Sequence, residues 1–395
     1  MPLALMSIST WPAVRPSSLT VRPYLDATTA RINGCFRSLL VAETAKHDNV
    51  QARARGEGSS SAQGGITVTT PRSVFASCLR PALGAILVAL WVSGPAWSQA
   101  ASTGTWTAKA PMSAVRGEVA AAVLENKLYA LGGNVATNAV PRNEEYDPST
   151  DRWRSRAPMP APRDHLGVAV VSGKIYNFGG FVKSVHEGAT TDVFEYDPAS
   201  DTWRARSPLR TPLGSVGVGV IDGKVHLVGG RGLDKVTTTT HLVYDPATDK
   251  WSDAAPMSKG RDHMAVVLAE GRIHVIGGRI TSPVDRTDLH EIYDPATDTW
   301  STAAPLKTAR SGLAYALYRG MIVVDGGEWP PEMRTFTENE GYDLKTKSWV
   351  SLAPMPLGAH GFGAGVIGGN VYFVGGSTLP GGAGLTDRLL MFTLP

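Results

Sequence analysis

The segment GVAVVSGKIYNFGG at residues 167–180, continued by VFEYDPASDTW at residues 193–203, decides the fold of this chain. In the first part, two runs of β-branched and aromatic residues flank a short serine–glycine turn, which predicts a pair of antiparallel strands. In the second part, a strand ends at a Tyr-Asp pair, and Pro198 fixes φ at the second position of a type I turn. A fourth strand follows around Trp203. The segment therefore predicts a small four-stranded antiparallel sheet.

The same pattern recurs along the chain after residue 100. Its units are marked by Gly-Gly pairs at 132–133, 179–180, 229–230, 277–278, 326–327 and 375–376. Tryptophans with the same spacings stand at 106, 153, 203, 251, 300 and 349, and Tyr-Asp pairs begin at 146, 196, 244, 293 and 342. A period of 47 to 50 residues with glycine and aromatic positions in register indicates a radial repeat architecture.

These repeated positions resemble the Kelch repeat, and residues 104–395 as a whole resemble a six-bladed Kelch β-propeller of the secreted bacterial type. The resemblance implies an all-β fold in which each repeat forms one blade. The last repeat ends in a strand at 388–394 with no tryptophan after it, whereas Trp106 stands alone before the first repeat. Because an open ring would leave unpaired sheet edges, we expect the N-terminal strand around Trp106 to complete the sixth blade.

Residues 71–100 have the features of a signal peptide. Basic residues precede an uncharged apolar run at 82–94, and small residues follow it up to Ala100. The run is shorter than the roughly 20 apolar residues of a membrane-spanning helix. We therefore expect cleavage near Ala100, a periplasmic or secreted mature chain at 101–395, and no membrane span within it. Residues 1–70 are interpreted either as a disordered extension or as sequence upstream of the true translation start.

Charge separates the prefix from the repeats. Residues 1–100 hold 9 Lys and Arg against 4 Asp and Glu, whereas residues 101–395 hold 29 against 31. A nearly neutral repeat region argues against nucleic-acid binding, because such domains carry their positive charge in the folded part. The 2 cysteines show no metal-binding spacing, and none follows residue 78, which excludes the copper and Cys–Tyr chemistry of galactose-oxidase-like Kelch proteins. We expect neither a cofactor nor a metal ion.

Two registers of the repeat are expected to meet on one face, where loops of different length follow the Gly-Gly pairs. Sixteen residues before the pairs stand Arg116, Arg163, Arg261 and Arg310, and directly after the pairs stand Asn134, Phe181, Arg231, Arg279 and Glu328. We expect the arginines to form a positive rim that binds carboxylates, with Phe181 and Trp329 as an apolar wall. Kelch propellers that capture acidic peptides use arginines at matching positions, so the resemblance implies the same use here. Pairing of single arginines with the nearby acids Glu118, Asp164 and Asp262 remains open.

Two functions are compatible with this face. The first is a binding module that recognises an acidic protein segment or a carboxylated ligand. The second is implied by a resemblance to N-acetylneuraminate mutarotases, with Glu328 as proton carrier and Arg279 or Arg310 as clamp for the sugar carboxylate. The histidines of the face are interpreted as core or rim residues; they are His165, His263 and His360. The acids of the third strands are interpreted as surface alternation; they are Glu144, Glu145, Glu338 and Glu340.

Overall fold

The computed structural model describes residues 103–183 and 185–395, which form six four-stranded antiparallel sheets. The all-β six-bladed propeller expected from the repeat is confirmed. The predicted extension at 1–70, the signal peptide at 71–100 and the cleavage position near Ala100 lie outside the described residues. Within the described part of the chain, no helix has the length and apolar character needed to cross a bilayer.

In blades 1 to 5 the four strands follow chain order, and the first strands of neighbouring blades lie against one another around the axis. The strands of blades 1 to 3 are Ala120–Leu124, Lys127–Leu131, Asn143–Asp147, Arg152–Ser155; Gly167–Val171, Lys174–Phe178, Val193–Asp197, Thr202–Arg206; and Gly217–Ile221, Lys224–Val228, His241–Asp245, Lys250–Asp253. Those of blades 4 and 5 are Ala265–Ala269, Arg272–Ile276, His290–Asp294, Thr299–Thr302; and Ala314–Tyr318, Met321–Asp325, Asn339–Asp343, Ser348–Ser351.

Blade 6 combines both ends of the described chain. Its inner strands are Gly363–Ile367, Asn370–Val374 and Leu389–Thr393, and the outermost strand is Thr105–Lys109. Trp106 lies opposite Phe392 in an antiparallel register, and its indole nitrogen donates a hydrogen bond to the carbonyl of Ala353 at 2.9 Å.

The loops that follow the Gly-Gly pairs add short elements at one end of the axis. Three are two-stranded ribbons, formed by Asn134–Val135 with Asn138–Ala139, Glu328–Trp329 with Arg334–Thr335, and Ser377–Leu379 with Ala383–Leu385. Two of these ribbons contain 3-10 turns, at Pro330–Glu332 and Pro380–Gly382.

The repeated residues hold neighbouring blades together. The indole of Trp203 donates to the carbonyl of Ala157 at 2.8 Å, and Tyr196 is fully buried with its hydroxyl on Asp201. Gly179 has a φ of 57°, and a side chain there would lie 2.1 Å from the carbonyl oxygen of Leu213 in the next blade. Glycine is required at this position because the backbones of two blades approach each other there.

Candidate functional site

Three consecutive residues lie just before the first strand of each blade, at one end of the axis. They differ in how far their side chains lie from the axis. They stand sixteen, fifteen and fourteen residues before the Gly-Gly pair of their repeat. In every blade the third of them has a left-handed backbone, with φ between 50° and 74°; these residues are Glu118, His165, Ser215, His263, Gly312 and Gly361. All six line the mouth of the central channel. The turn at this register therefore directs a side chain toward the axis in the four blades where the residue is not glycine.

The arginines sixteen residues before the Gly-Gly pairs do not lie on the surface. We call Arg116, Arg163, Arg261 and Arg310 the ring arginines, and all four are 0% exposed. Arg261 donates to the carbonyls of Gly277 at 2.8 Å and Leu289 at 3.1 Å, and to the Glu291 carboxylate at 2.5 Å. Arg310 makes the equivalent bonds to Gly326, Glu338 and Glu340. A guanidinium enclosed in this way cannot reach a ligand at the mouth of the axis.

The two remaining ring arginines also bond to groups of their own blades, although their partners differ. Arg116 donates to the carbonyl of Gly132 at 2.8 Å and pairs with Glu144, and burial lowers its pKa to about 10. Arg163 pairs with Asp192 and lies 5.6 Å from the ring centre of Phe194. Each of the four partner acids belongs to the same blade as its arginine, so these pairs stabilise single blades.

The partners of the ring arginines correct the interpretation of the third-strand acids. Glu144, Glu145 and Glu340 are buried, with exposures of 2%, 2% and 4%, and they are not part of a surface alternation. Glu145 accepts hydrogen bonds from Tyr129 and Arg154 at 2.9 Å each. The expectation of surface residues was wrong for these three acids because their carboxylates pair with arginines inside their own blades. Glu338, by contrast, has a side chain that is 34% exposed.

Blades without a ring arginine also lack its partner acid. In blade 3 the arginine register holds Leu213 and the acid register holds Leu242, and both belong to one buried apolar cluster. In blade 6 the same registers hold Ala359 and Leu390, which also pack in one cluster. An arginine occurs with an acid at this register in blades 1, 4 and 5, and an aliphatic residue occurs with leucine in blades 3 and 6. Blade 2 has Phe194 at the acid register, and its Arg163 pairs with Asp192 two residues earlier. This is the pattern of an internal packing position.

The residues after the Gly-Gly pairs do reach the axis end. A backbone bridge in each blade joins them to the residue fifteen positions before the pair; for example, Arg231 bridges Gly214, Arg279 bridges Asp262 and Glu328 bridges Ser311. Asn134 is fully buried, and Phe181 packs edge-on against His165 at 5.6 Å between ring centres. Trp329 is covered by the guanidinium of Arg286 at 3.4 Å from its ring centre. Among the predicted binding residues, Arg231, Arg279 and Glu328 line a common cavity.

This cavity has a volume of about 250 Å³ and opens at the loop end of the axis. Its lining combines charged groups, histidines and the apolar residues Val185, Pro283 and Pro330. Buried polar residues from blades 1, 2, 4, 5 and 6 surround it, together with Arg231 from blade 3. We call this set the axial cluster; it consists of Glu118, Asp164, His165, His186, Arg231, Asp262, His263, Arg279, Glu328 and His360.

Arg279 connects four parts of the axial cluster. Its Nε donates to Asp262 at 2.9 Å and its Nη1 to Glu328 at 3.3 Å. Its Nη2 lies 2.9 Å from His186 Nε2 and 3.2 Å from His263 Nε2. Arg231 joins the same carboxylate through Nε at 2.5 Å from Asp262. Two guanidinium groups from neighbouring blades therefore share one buried acid at the cavity wall.

On the other side of the cavity, carboxylates and imidazoles alternate. His360 lies between Glu118, 3.6 Å from Nδ1, and Glu328, 3.5 Å from Nε2. Glu118 also lies 3.1 Å from His165 Nε2. Glu328 accepts a hydrogen bond from the backbone nitrogen of Gly381 at 2.9 Å, which fixes its carboxylate at the cavity. The arrangement places proton-accepting and proton-donating groups within reach of a bound molecule.

Electrostatics divide the cluster into charged and neutral groups. Burial opposes ionisation of Asp262, but His263 and the guanidinium groups of Arg279 and Arg231 outweigh it and hold its pKa well below the usual range. Burial, together with the adjacent Arg279, lowers the pKa of His263 to about 4, so this imidazole is neutral at neutral pH. Burial and the neighbouring His165 likewise depress the pKa of His186. At His165 the carboxylates of Glu118 and Asp164 overcome burial and raise the pKa.

Several residues of the axial cluster were not predicted as site residues. The sequence pattern predicts Glu118, Asp164 and Asp262 only as partners of ring arginines, and it does not single out His186. The left-handed register carried a usable signal, because blades 5 and 6 have Gly312 and Gly361 where blades 1, 2 and 4 have larger polar residues. A non-glycine residue at such a position indicates a functional reason for its side chain. His186 lies in the loop at 181–192, whose sequence differs from the equivalent loops of the other repeats, so register alone does not place it.

Comparisons with known proteins agree with the architecture. The Kelch motif matches residues 116–160 and 162–210, and a second description of the Kelch motif matches residues 212–258. No curated protein matches the chain. A solved structure titled "Structure of YjhT" is similar, with a TM-score of 0.61 and 20% sequence identity over 71% of this chain and 95% of that chain. The chain therefore carries Kelch motifs on a six-bladed propeller, and the similarity to YjhT concerns the fold.

Proposed function

We propose that this propeller binds a small carboxylated ligand, such as a sugar acid, in the cavity at the end of its axis. The observation that carries the proposal is the convergence of Arg231 and Arg279 from two blades on one cavity. Planar guanidinium groups suit carboxylate recognition because they donate two parallel hydrogen bonds. Within the described residues, none accepts a hydrogen bond from Arg231 Nη1, so this nitrogen is free to donate to a ligand.

The size of the cavity favours a small molecule over a protein loop. At about 250 Å³ it lies just below the roughly 300–1,000 Å³ that is usual for small-molecule sites. Apolar surface from Val185, Pro283 and Pro330 faces the charged wall, which suits a ligand with one carboxylate and a less polar body. An acidic protein segment would fit only through the tip of one side chain, so it is the weaker form of the same proposal.

Titration calorimetry with N-acetylneuraminate and related sugar acids tests this function, with uncharged N-acetylmannosamine as the ligand control. We expect saturable binding of an acid and an increase in the melting temperature, because a ligand that binds only the folded state stabilises it. Arg231→Ala is expected to weaken binding at least about 10-fold, in line with the loss of a charge-assisted hydrogen bond. Arg204→Ala is the matched control, since that arginine is 64% exposed on an outer strand.

One outcome would favour an acidic protein segment as the ligand instead of a small molecule. In that outcome no acidic sugar binds, and a protein partner binds the wild type but not Arg231→Ala. Absence of both would contradict the proposal.

A second function, interconversion of the two anomers of the bound sugar acid, is favoured by the position of Glu328. Its carboxylate lies at the cavity, 3.3 Å from Arg279 and 3.5 Å from His360. Of the two clamps considered from the sequence, Arg279 lines this cavity, whereas Arg310 is enclosed within its blade. In this function the ligand carboxylate displaces Glu328 from Arg279 Nη1, and the released Glu328 carboxylate moves the proton between the anomeric hydroxyl and the ring oxygen. Glu328→Gln is expected to keep ligand binding and lose catalysed anomeric exchange, measured by proton NMR; unchanged exchange would rule out this role.

Two further proposals concern the export of the chain and the closure of the ring. The signal-peptide pattern at 71–100 supports a ligand that is met in the periplasm or outside the cell, and N-terminal sequencing of the exported chain tests it. The pairing of Thr105–Lys109 with Leu389–Thr393 supports closure of the ring by the N-terminal strand. Closure matters to function because the cavity takes its walls from all six blades only when blades 1 and 6 are held together.

A further inference from the structure

We propose that the axial cluster contains a binding site for a divalent transition-metal ion, with Zn²⁺ as the best match. Its ligands are His165, His186 and His263, and Glu118 supplies a carboxylate oxygen. The three histidines each place one ring nitrogen within 4.8 Å of the others. The proposal does not depend on carboxylate binding, and it departs from the sequence-based expectation of no metal because His186 adds a third imidazole.

The distances fit a tetrahedral site. Zinc–nitrogen bonds of about 2.0–2.1 Å in a tetrahedron place the ligand atoms about 3.3 Å apart. His186 Nε2 and His263 Nε2 are separated by 3.3 Å, and Glu118 Oε2 lies 3.1 Å from His165 Nε2. Both pairs already have the spacing of atoms that share an ion. His186 lies in the loop after the second Gly-Gly pair, so its ring can approach His165 without movement of a blade strand.

Two of the imidazoles are held as metal ligands commonly are. His165 Nδ1 lies 2.8 Å from Asp164 and His263 Nδ1 lies 3.0 Å from Asp262. A carboxylate at Nδ1 keeps the proton on that nitrogen and leaves the Nε2 lone pair for an ion, which is the usual carboxylate–histidine–metal arrangement. His165 Nε2 is buried and makes no hydrogen bond of suitable geometry among the described residues, although Glu118 Oε2 lies 3.1 Å away. An ion at the centre of the three rings satisfies this nitrogen.

Charge provides an independent argument. The axial cluster holds four acids, Glu118, Asp164, Asp262 and Glu328, against two arginines, and all six residues are largely buried. Buried charges are normally neutralised by a partner of opposite sign. With neutral imidazoles the cluster has two more carboxylates than guanidinium groups. One divalent cation balances that difference without any protonated histidine.

Arg279 shows where the lone pairs converge. Its Nη2 lies 2.9 Å from His186 Nε2 and 3.2 Å from His263 Nε2, so a positively charged group is held between the two nitrogens. The ion would take this position, so Arg279 would have to turn Nη2 away and give up at least one of its bonds to Asp262 and Glu328. Arg279 and the ion therefore compete, and removal of the arginine should strengthen metal binding.

The experiment is a calorimetric titration of Zn²⁺ into tag-free protein that has been stripped with a chelator. We expect one ion per chain. His186→Ala should weaken binding more than about 100-fold, and Asp262→Asn by about 10–100-fold, as is usual for a residue that orients a metal-ligating histidine. Arg279→Met should tighten binding. In a parallel titration with Co²⁺, the visible spectrum of a four-coordinate ion should appear in the wild type and be absent in His186→Ala.

Two controls keep the result unambiguous. Lys183→Ala alters the same loop at an exposed position and should leave Zn²⁺ affinity unchanged. The double variant H226V/H241N removes two buried histidines far from the axial cluster and should also leave it unchanged. No binding, more than one equal site, or binding that survives His186→Ala would overturn the proposal, whatever the outcome of the sugar-acid titrations.

Discussion

Arg261 and Arg279 belong to the same blade and are both buried, yet their surroundings differ in one respect. Every partner of Arg261 comes from its own blade, namely Gly277, Leu289 and Glu291. Arg279 contacts blade 4 at Asp262, blade 5 at Glu328 and blade 2 at His186. Contacts within one repeat stabilise that repeat, whereas contacts that converge from several repeats build a site that no single repeat contains.

The histidines also divide into those with partners in their own blade and those with partners from several blades. His226 Nδ1 lies 2.9 Å from His241 Nε2 in blade 3, and His274 Nδ1 lies 2.9 Å from His290 Nε2 in blade 4. These four are paired within their blades and buried in the core. The other four described histidines belong to the axial cluster: His165, His186, His263 and His360. Residue type is the same in both groups, although His186 and His263 are only partly buried. The origin of their partners is what separates the packing histidines from those of the candidate site.

The largest effect is expected from deleting the N-terminal strand, because contacts within blades and contacts between blades both depend on a closed ring. Deletion of Thr105–Lys109 should abolish cooperative unfolding, because it leaves Leu389–Thr393 as an unpaired strand and opens the interface between blades 6 and 5. Circular dichroism melting measures the effect. A deletion variant that still melts in one sharp transition would show that the ring does not need this strand.

The second effect tests whether a ring arginine is structural. Arg261→Ala should lower the free energy of unfolding by about 3–5 kcal/mol, because it leaves the carboxylate of Glu291 buried without its partner. Urea denaturation measures this loss. The double variant R261L/E291L copies Leu213 and Leu242 of blade 3 and should recover most of it, since an apolar pair can replace a buried ion pair. Equal instability of the single and double variants would contradict the pairing.

A smaller effect concerns the histidine pairs within blades 3 and 4. Burial lowers the pKa of His226 to about 4, and burial together with His274 lowers that of His290 to about 3. These folded values lie below the ordinary value near 6.5 of an unfolded chain, so the unfolded state binds more protons between about pH 6.5 and pH 4. The stabilising contribution is complete above pH 6.5 and decreases as the pH falls through this range.

Thermal melting between pH 7.5 and pH 4 measures this dependence. The charged groups nearest the two pairs are Lys224, Asp298, Lys347, Glu270 and Arg272. The matched variant is H226V/H241N with H274V/H290N, which copies Val323 and Asn339 at the same registers of blade 5. It should show a flatter decrease than the wild type. An identical decrease would assign the pH dependence to other groups.

Much of the fold was predictable because the repeat places the same residue types at the same positions. The Gly-Gly, Tyr-Asp and Trp registers predicted six blades, and the register after Gly-Gly correctly brought Arg231, Arg279 and Glu328 to one end. The direction of each side chain was harder to predict. In Arg163-Asp164-His165, a left-handed turn at the last residue sends the imidazole to the axis and leaves the arginine inside the blade.

The left-handed backbone of that turn is not visible in most of the repeats. The sequence indicates it only where glycine occupies the same register, as at Gly312. The position of His186 depends on the path of one loop, and no periodicity contains that information. The repeat pattern therefore predicted the end of the propeller at which the candidate site lies and three residues that line its cavity. The positions of its imidazoles and acids depend on backbone geometry that the pattern does not contain.

The central claim is that function lies where partners converge from different blades. Its most direct test is a calorimetric comparison of two variants with N-acetylneuraminate, Arg279→Ala and R261L/E291L. We predict that R261L/E291L binds as the wild type does, whereas Arg279→Ala loses at least about 10-fold in affinity. Loss of binding in R261L/E291L with full binding in Arg279→Ala would contradict the claim. It would indicate that the ring arginines bind the ligand.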